Sequence, residues 1–403
     1  MKKKFNIIIS GGGTGGHVFP AISIAQALKE MAPESNILFV GARGKLEMEK
    51  VPAAGFDIVG LPVMGFQRRL TYKNVLFFYY LFVSMIRSFF LVKRFKPDVV
   101  LGVGGYASGP VLRMAGWFNI PVAIQEQNSY AGVTNRLLAK RAHKIFVAYE
   151  GMEKYFPAGK IIFTGNPVRM DLIQKSGKEK KQEALHYFRL NPGRKTLLVL
   201  GGSLGARTIN ESIQAQLDKL LENEIQVIWQ SGKLYYQEIR TWFSGLCGDE
   251  AEANYSGEES ESRHKSDHPG SDKNGPKTDE SHAPVRIFDF ISRMDLAYAA
   301  ADLIISRAGA GTISELCLVG KPVVLVPSPN VAEDHQTHNA KAIEDIGGGI
   351  LVRDQEASEK LVADAIALVE DEEKCKRFAK NITKLGMPDS SRIIAREILK
   401  MND

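Results

Sequence analysis

Residues 5–20, FNIIISGGGTGGHVFP, decide the fold. The apolar run Phe5–Ile9 is about five residues long, ends in Gly11-Gly12-Gly13, and is followed by the periodic segment Val18–Lys29. Strand, glycine turn and helix in that order make the opening unit of a parallel α/β sheet, with backbone amides and a helix N-terminus at the carboxyl end of the strand. Such a turn binds anions. The preceding Met1-Lys2-Lys3-Lys4 gives the start a superficial likeness to a signal peptide, but the apolar run is too short and reads as a first β-strand.

The same stretch argues against two common phosphate binders. Gly11, Gly13 and Gly16 satisfy the GxGxxG spacing, yet Gly41 stands where a dinucleotide-binding second strand would end in Asp or Glu. No Lys-Ser/Thr pair closes the turn, so it is not a P-loop either. His17, at the end of the turn, is a candidate general base whose alternative is to cap the turn.

Outward from this unit the pattern repeats. Short apolar runs at Ile37–Val40, Val99–Val103, Val122–Gln125 and Ile145–Ala148 alternate with longer periodic segments. The alternation restarts at Thr196–Leu200 and continues through Gln226–Gln230, Val285–Phe288, Leu303–Ser306 and Val323–Pro327. A chain of 403 residues exceeds what one core supports. The expected class is therefore α/β, with two Rossmann-like domains facing a cleft: 1–165 and 166–386, the last helix (387–403) returning to the first. Residues 245–284 are polar and nearly devoid of aliphatic side chains, too little apolar surface to offset ordering entropy, and read as a disordered insertion. Its His264, His268 and His282 then belong to a solvated loop rather than a metal site.

Hydrophobic content of 44% and charged content of 24% fit a soluble globular protein. Cys247, Cys317 and Cys375 are unevenly spaced and suit a reducing cytoplasm. The net charge of +6 conceals a basic first half and an acidic second, which points to an anionic partner for the first half. Nucleic acid is disfavoured as that partner, because the basic residues are scattered and no nucleic-acid motif is present. Val75–Val92 is the most apolar stretch; interrupted by Arg87 and two serines, it reads as too short to span and as an interfacial helix on an anionic membrane, flanked by Arg68, Arg69 and Lys73 before and Lys93, Arg94 and Lys96 after.

Further motifs stand at strand ends. Gly201-Gly202-Ser203-Leu204-Gly205-Ala206 repeats the strand–turn–helix geometry in the second half, so each half owns a phosphate cradle. Ser306–Glu315, SRAGAGTISE, directs a helix N-terminus towards a diphosphate and sets Glu315 one turn in, where a carboxylate can accept from ribose hydroxyls. Asp334–Asn339, DHQTHN, is rich in amides and imidazoles; His335 and His338 lack an acidic third ligand at usual spacing, which favours contact with sugar hydroxyls over a metal.

Taken together, GGGTGGHVFP (11–20), PDVVLGVGGYASGP (97–110), EQN (126–128), GNPVR (165–169), GGSLGA (201–206), SRAGAGTISE (306–315) and the loop holding Gln336 closely resemble the N-acetylglucosaminyltransferases of peptidoglycan synthesis, over nearly the whole chain. These convert undecaprenyl-diphospho-muramoyl-pentapeptide (lipid I) to lipid II on the cytoplasmic face of the bacterial plasma (inner) membrane. The resemblance implies the GT-B glycosyltransferase fold, UDP-N-acetylglucosamine as donor, lipid I as acceptor, inversion at the anomeric carbon, no cofactor and no metal requirement, peripheral membrane attachment, and the cell-wall synthesis machinery as a further partner. It implies that Thr14, Gly15 and Gly16 line the cleft and that Asn128 and Arg169 reach the donor. Ser203 would bind the donor phosphate and Ile291 would meet uracil through its backbone. Ala310, Gly311, Thr312, Ile313, Ser314, Glu315 and Gln336 would hold ribose, diphosphate and sugar. His17 is the first candidate base and Glu126 the second. The polar insertion departs from the family pattern. A UDP-sugar epimerase or another transferase of this architecture is the alternative.

Overall fold

The computed structural model describes residues 5–65, 72–168, 177–202, 204–247, 284–331 and 334–402. Arg169, Ser203 and residues 248–283 of the polar insertion lie outside these described residues.

Two parallel sheets carry the chain. The first contains β1 (Asn6–Ser10), β2 (Asn36–Ala42), β3 (Asp57–Leu61), β4 (Val99–Gly102), β5 (Val122–Glu126), β6 (Lys144–Val147) and β7 (Ile161–Phe163), in the spatial order 3-2-1-4-5-6-7. The second contains β8 (Lys195–Leu200), β9 (Ile225–Gln230), β10 (Val285–Phe288), β11 (Leu303–Ser306), β12 (Val323–Leu325) and β13 (Gly349–Leu351), in the order 10-9-8-11-12-13. Both orders reverse beside their first strand, at β1/β4 and at β8/β11. Crevices for ligands open outside the carboxyl ends of strands at such switch points. The strands β3, β7 and β13 are short, partly exposed edges of three to five residues, and the sequence reading passed over all three.

The helices of the first half are α1 (Gly15–Met31), α2 (Glu47–Ala53), α3 (Tyr72–Phe95), α4 (Ser108–Trp117) and α5 (Val133–Leu138). Those of the second are α6 (Lys178–Tyr187), α7 (Arg207–Ala215), α8 (Leu217–Glu222), α9 (Tyr236–Cys247), α10 (Met294–Ala300), α11 (Ala310–Val319), α12 (His335–Asp345), α13 (Ala357–Glu370) and α14 (Glu372–Ile382). The helix α9 extends through Cys247, so the stretch read as insertion from residue 245 begins inside a helix. The last helix, α15 (Ser390–Leu399), crosses back to the first half. Its Ile394, Ala395 and Ile398 are fully buried in one cluster with Ile7, Ile9 and Phe146, and Lys144 holds Glu397 at 2.7 Å. Each sheet is buried on both faces, which explains why its central strands read as unbroken apolar runs rather than alternating ones.

The helix α3 has an inverted pattern. Ser84, Ser88 and Val92, four apart, are buried against the domain, and Ser84 Oγ donates to Pro62 O at 3.0 Å. Val75, Phe78, Tyr79, Phe82, Ile86 and Phe90 make an exposed stripe along the opposite side. The expectation that this segment falls short of a span needs correction: Val75–Phe95 is long and apolar enough to cross a membrane by length and composition. One of its sides is nevertheless docked on the domain, next to α4. An aromatic stripe facing outward over buried serines reverses the usual amphipathic order of a surface helix.

Candidate functional site

The two switch points face each other. Ser129 Oγ, after β5, donates to Asn339 Oδ1 on α12 at 3.0 Å, and Asn166 Nδ2, after β7, donates to Ser314 Oγ on α11 at 3.0 Å. The Lys50 ammonium of α2 lies 5.9 Å from the Phe290 ring centroid of the second half. These contacts bring the turn after β1 and the N-termini of α11 and α12 to opposite walls of one cleft.

On the first wall the glycine turn is less bare than its sequence suggests. Gly11 N donates to Val40 O (3.1 Å), Gly12 N to Gly104 O (3.3 Å) and Gly13 N to Glu47 Oε2 (2.9 Å). The glycines therefore knit the turn to its neighbours, and the amides of Gly15 and Gly16 remain as first-turn N–H groups of α1, which lack intrahelical acceptors. Thr14 is the N-cap, its side chain turned to His17, with Thr14 Oγ1 3.2 Å from His17 Nδ1. The His17 ring packs against Gly104, where a Cβ would stand 2.8 Å from Nε2 and Cδ2, so the left-handed Gly104 is needed for the approach. Burial pushes the imidazole below its ordinary value; Glu126 and Glu47 oppose that shift, as does a hydrogen bond to the Gly12 backbone, and His335 reinforces it. His17 thus tends to stand neutral beside two carboxylates.

Glu126 ends β5 and is buried at 1% exposure. Its Oε1 accepts from Asn128 N (3.1 Å) and Asn128 Nδ2 (3.3 Å), and its Oε2 from Gly132 N (2.9 Å) and Asn135 Nδ2 (2.9 Å). Four donors meet one carboxylate. Asn128, expected to reach the donor, directs one side-chain N–H to Glu126.

On the second wall α11 starts at Ala310 with Gly309 as N-cap. Gly311 and Thr312 lie in its first turn, whereas Ile313 buries its side chain in the core beneath, at 3% exposure. Ser314 Oγ donates to Ala310 O and accepts from Asn166, so this hydroxyl ties the helix to the crossing between the halves. Glu315 Oε2 accepts from Tyr298 Oη at 3.0 Å. Gln336 Oε1 accepts from Ser328 N at 2.9 Å, bracing the loop after β12. Ile291 is buried, and its N–H donates to Gln230 Oε1 at 3.0 Å, which leaves its carbonyl as the backbone group for a base edge. Arg307, from the SRAGAG motif, binds Val326 O and Pro327 O at 3.1 Å each and pairs with Asp354, a structural use. Among the described residues no group of three His, Cys, Asp or Glu side chains is placed to hold a metal ion.

Three wall-building residues were missed in the sequence. Asn166 lies in the GNPVR motif but was given no part, and Asn339, fully buried, donates to Ala308 O while accepting from Ser129. Glu47 was missed because it follows β2 by five residues rather than ending it.

Models of the N-terminal and C-terminal domains of glycosyltransferase family 28 match residues 7–147 and residues 196–256 and 252–392. The chain belongs to glycosyltransferase family 28. It is 52% identical over 401 residues to a Parabacteroides distasonis protein named UDP-N-acetylglucosamine--N-acetylmuramyl-(pentapeptide) pyrophosphoryl-undecaprenol N-acetylglucosamine transferase, covering 100% of this chain and 99% of that one. A Bacteroides thetaiotaomicron protein of the same name is 51% identical over 402 residues, with 100% and 99% covered. Among solved structures, the Acinetobacter baumannii MurG superposes with a TM-score of 0.70 at 24% identity over 99% of this chain and 100% of that one. A Neisseria meningitidis UDP-GlcNAc 2-epimerase bound to UDP-GlcNAc gives 0.63 at 16% identity, over 99% and 100%. The last two likenesses establish the architecture: this family 28 glycosyltransferase has the GT-B fold, two Rossmann-like domains across a cleft.

Proposed function

We propose that this chain transfers N-acetylglucosamine from UDP-N-acetylglucosamine to the 4-hydroxyl of the muramoyl sugar of undecaprenyl-diphospho-muramoyl-pentapeptide, with inversion, giving the lipid-linked disaccharide used for peptidoglycan. The observation that carries this is identity of about half over the full length of relatives named for that transfer. The first half, 1–165, takes the acceptor and the membrane; the second, 166–386, takes the donor.

In the reaction the acceptor oxygen bonds to C1 of the donor sugar while the bond from C1 to the diphosphate oxygen breaks, and UDP leaves with that electron pair. His17 takes the hydroxyl proton through its imidazole, whose lowered basicity keeps it neutral and ready to accept. Glu126, held by four donors, acts as a fixed anion that steadies the resulting imidazolium and is not itself the base. The developing charge on UDP meets the N-terminus of α11, with Ala310, Gly311 and Thr312 offering first-turn amides. Arg169 and Ser203 contribute a cation and a hydroxyl to the diphosphate. Glu315 and Gln336 take ribose and sugar hydroxyls, Asn128 the donor sugar, and the Ile291 carbonyl the uracil edge, while Thr14, Gly15 and Gly16 line the acceptor side.

The exposed stripe of α3, with exposed Arg87, Lys93, Arg94 and Lys96, supports attachment to an anionic lipid surface, as does Trp117 at 71% exposure on the neighbouring α4. That surface is the cytoplasmic face of the plasma membrane, where the acceptor resides and where cell-wall synthesis proteins would be encountered.

The deciding experiment incubates the full chain with sugar-labelled UDP-N-acetylglucosamine and the lipid-diphosphate acceptor in anionic vesicles. Label passing to the lipid with release of UDP is the expected result. Label remaining on UDP, as an epimerised sugar, would overturn the reading in favour of an epimerase.

A further inference from the structure

The turn after β1 contains a built-in anion. Glu47, on the first turn of α2, is 1% exposed, and its carboxylate bridges two segments: Oε2 accepts from Gly13 N at 2.9 Å and Oε1 from Ala42 N at 2.8 Å. The space it fills explains two glycines. A Cβ on Gly12 would stand 2.2 Å from Oε1, and one on Gly41 would stand 2.4 Å from Cγ. A carboxylate therefore fills the space beside the turn and takes up the Gly13 amide, which is then not free to meet a phosphate.

We infer that Glu47 is a positioning residue for the transfer: it locks the turn through Gly13 and so aims Thr14 and His17, and its fixed negative charge favours proton uptake by His17. The inference rests on His17 being the base. The route from Glu47 to the imidazole is short, passing from Gly13 to Thr14, whose hydroxyl meets Nδ1. The groups around His17 are Glu126 from β5, Glu47 from α2, His335 from α12 and the Gly12 backbone. Both carboxylates raise its proton affinity and His335 lowers it, so removal of one carboxylate has a defined sign. Because α2 packs on β2 and β3 of the first half, the effect falls chiefly on the proton-accepting wall.

The test compares wild type with Glu47→Gln and Glu47→Asp as full-length proteins, measuring kcat and KM for UDP-N-acetylglucosamine across pH with the lipid-diphosphate acceptor. Glu47→Gln removes the charge and sets an amide donor against an N–H, and the expected kcat falls by roughly 10- to 100-fold with KM for the donor little changed, the scale of a misaimed catalytic group. The acid limb of the pH profile, where a neutral His17 is needed, moves to lower pH by up to roughly one unit, because loss of a nearby negative charge lowers the proton affinity of His17. Glu47→Asp keeps the charge but not the reach, so it holds the wild-type limb while losing kcat. A merely structural role would lower kcat without moving the limb. Wild-type kcat, or an unmoved limb in Glu47→Gln, overturns the inference. If Glu47→Gln does not fold, Glu47→Ala, which removes the same charge without adding a donor, must reproduce the limb shift, and failure to do so overturns it equally. Absence of lipid product from the wild type would instead strike at the proposed function, so the two failures are distinguishable.

Discussion

Asn166 Nδ2 lies 3.0 Å from Ser314 Oγ, so the crossing between the two halves is hydrogen-bonded to the first turns of the helix proposed to face the donor diphosphate. The same amide group donates to Gln127 O at 2.9 Å, while Asn166 Oδ1 accepts from Gln125 at 3.1 Å, which ties β5 and its loop into the link. Ser314→Ala removes one partner from a buried amide at about 1 kcal/mol, and the expected outcome is a rise in donor KM of about fivefold with a smaller change in kcat. Steady-state kinetics at saturating acceptor measures this; an unchanged donor KM would show the link to be passive.

Replacing His17 by Ala deletes the proposed proton acceptor while leaving the α11 wall intact. Turnover is expected to fall by roughly 100- to 10,000-fold, the usual contribution of a positioned general base. UDP-N-acetylglucosamine affinity, measured by calorimetry, should stay within about twofold of wild type if donor contacts lie mainly on the second half. Near-normal turnover would remove His17 from the mechanism.

The exposed stripe of α3 can be altered without disturbing the core. Phe78, Phe82 and Phe90 face outward, whereas Phe89 packs on Phe118 at 5.1 Å between ring centroids and belongs to the domain. Changing Phe78, Phe82 and Phe90 together to Ser is expected to abolish co-sedimentation with anionic vesicles while leaving donor affinity and Tm near wild type. Equal loss of vesicle and donor binding would argue against a lipid-facing helix.

Attachment of the last helix is expected to depend on pH through Glu397. The hydrogen bonds of Lys144, then of Lys400, hold its carboxyl below the ordinary carboxylate range. A depressed folded value means that the stabilisation is complete above the unfolded pKa and is lost as pH falls through the folded one. Lys144→Ala should lower Tm by a few degrees at pH 7, on the scale of about 1 kcal/mol for a partly buried pair. Calorimetric scans at lower pH should show this difference narrowing below about pH 4, and a difference that stays constant would assign the effect to packing of the lysine stem.

Much of the architecture was legible because a strand buried on both faces must be apolar throughout, and a glycine turn feeding a helix announces its place at a strand end. Central strands such as Val99–Gly102 and Leu303–Ser306 were found almost to the residue. The edges β3 and β13 were not, since they are partly exposed and leave little pattern in three to five residues, whereas the edge β10 is buried along most of its length and was found. The walls of the cleft were legible as motifs, but the motif glycines were credited with ligand contacts that three of their amides make instead with Val40, Gly104 and Glu47.

Local chemistry in the chain, read without coordinates, determined that two α/β halves with glycine turns and amide-rich loops would form, and that Val75–Val92 would be an aromatic helix of the first half, because periodicity and turn residues act over a few neighbouring positions. Only the tertiary structure decided which side of that helix turns outward, that Glu126 is bound by four donors, and that Glu47 fills the first turn. Those outcomes depend on how the chain closes in three dimensions: Gly13 reaches Glu47 across the sheet, and the loop after β5 folds Asn128, Gly132 and Asn135 back onto Glu126, so a carboxylate is a ligand, a base or an internal clamp according to the donors that surround it.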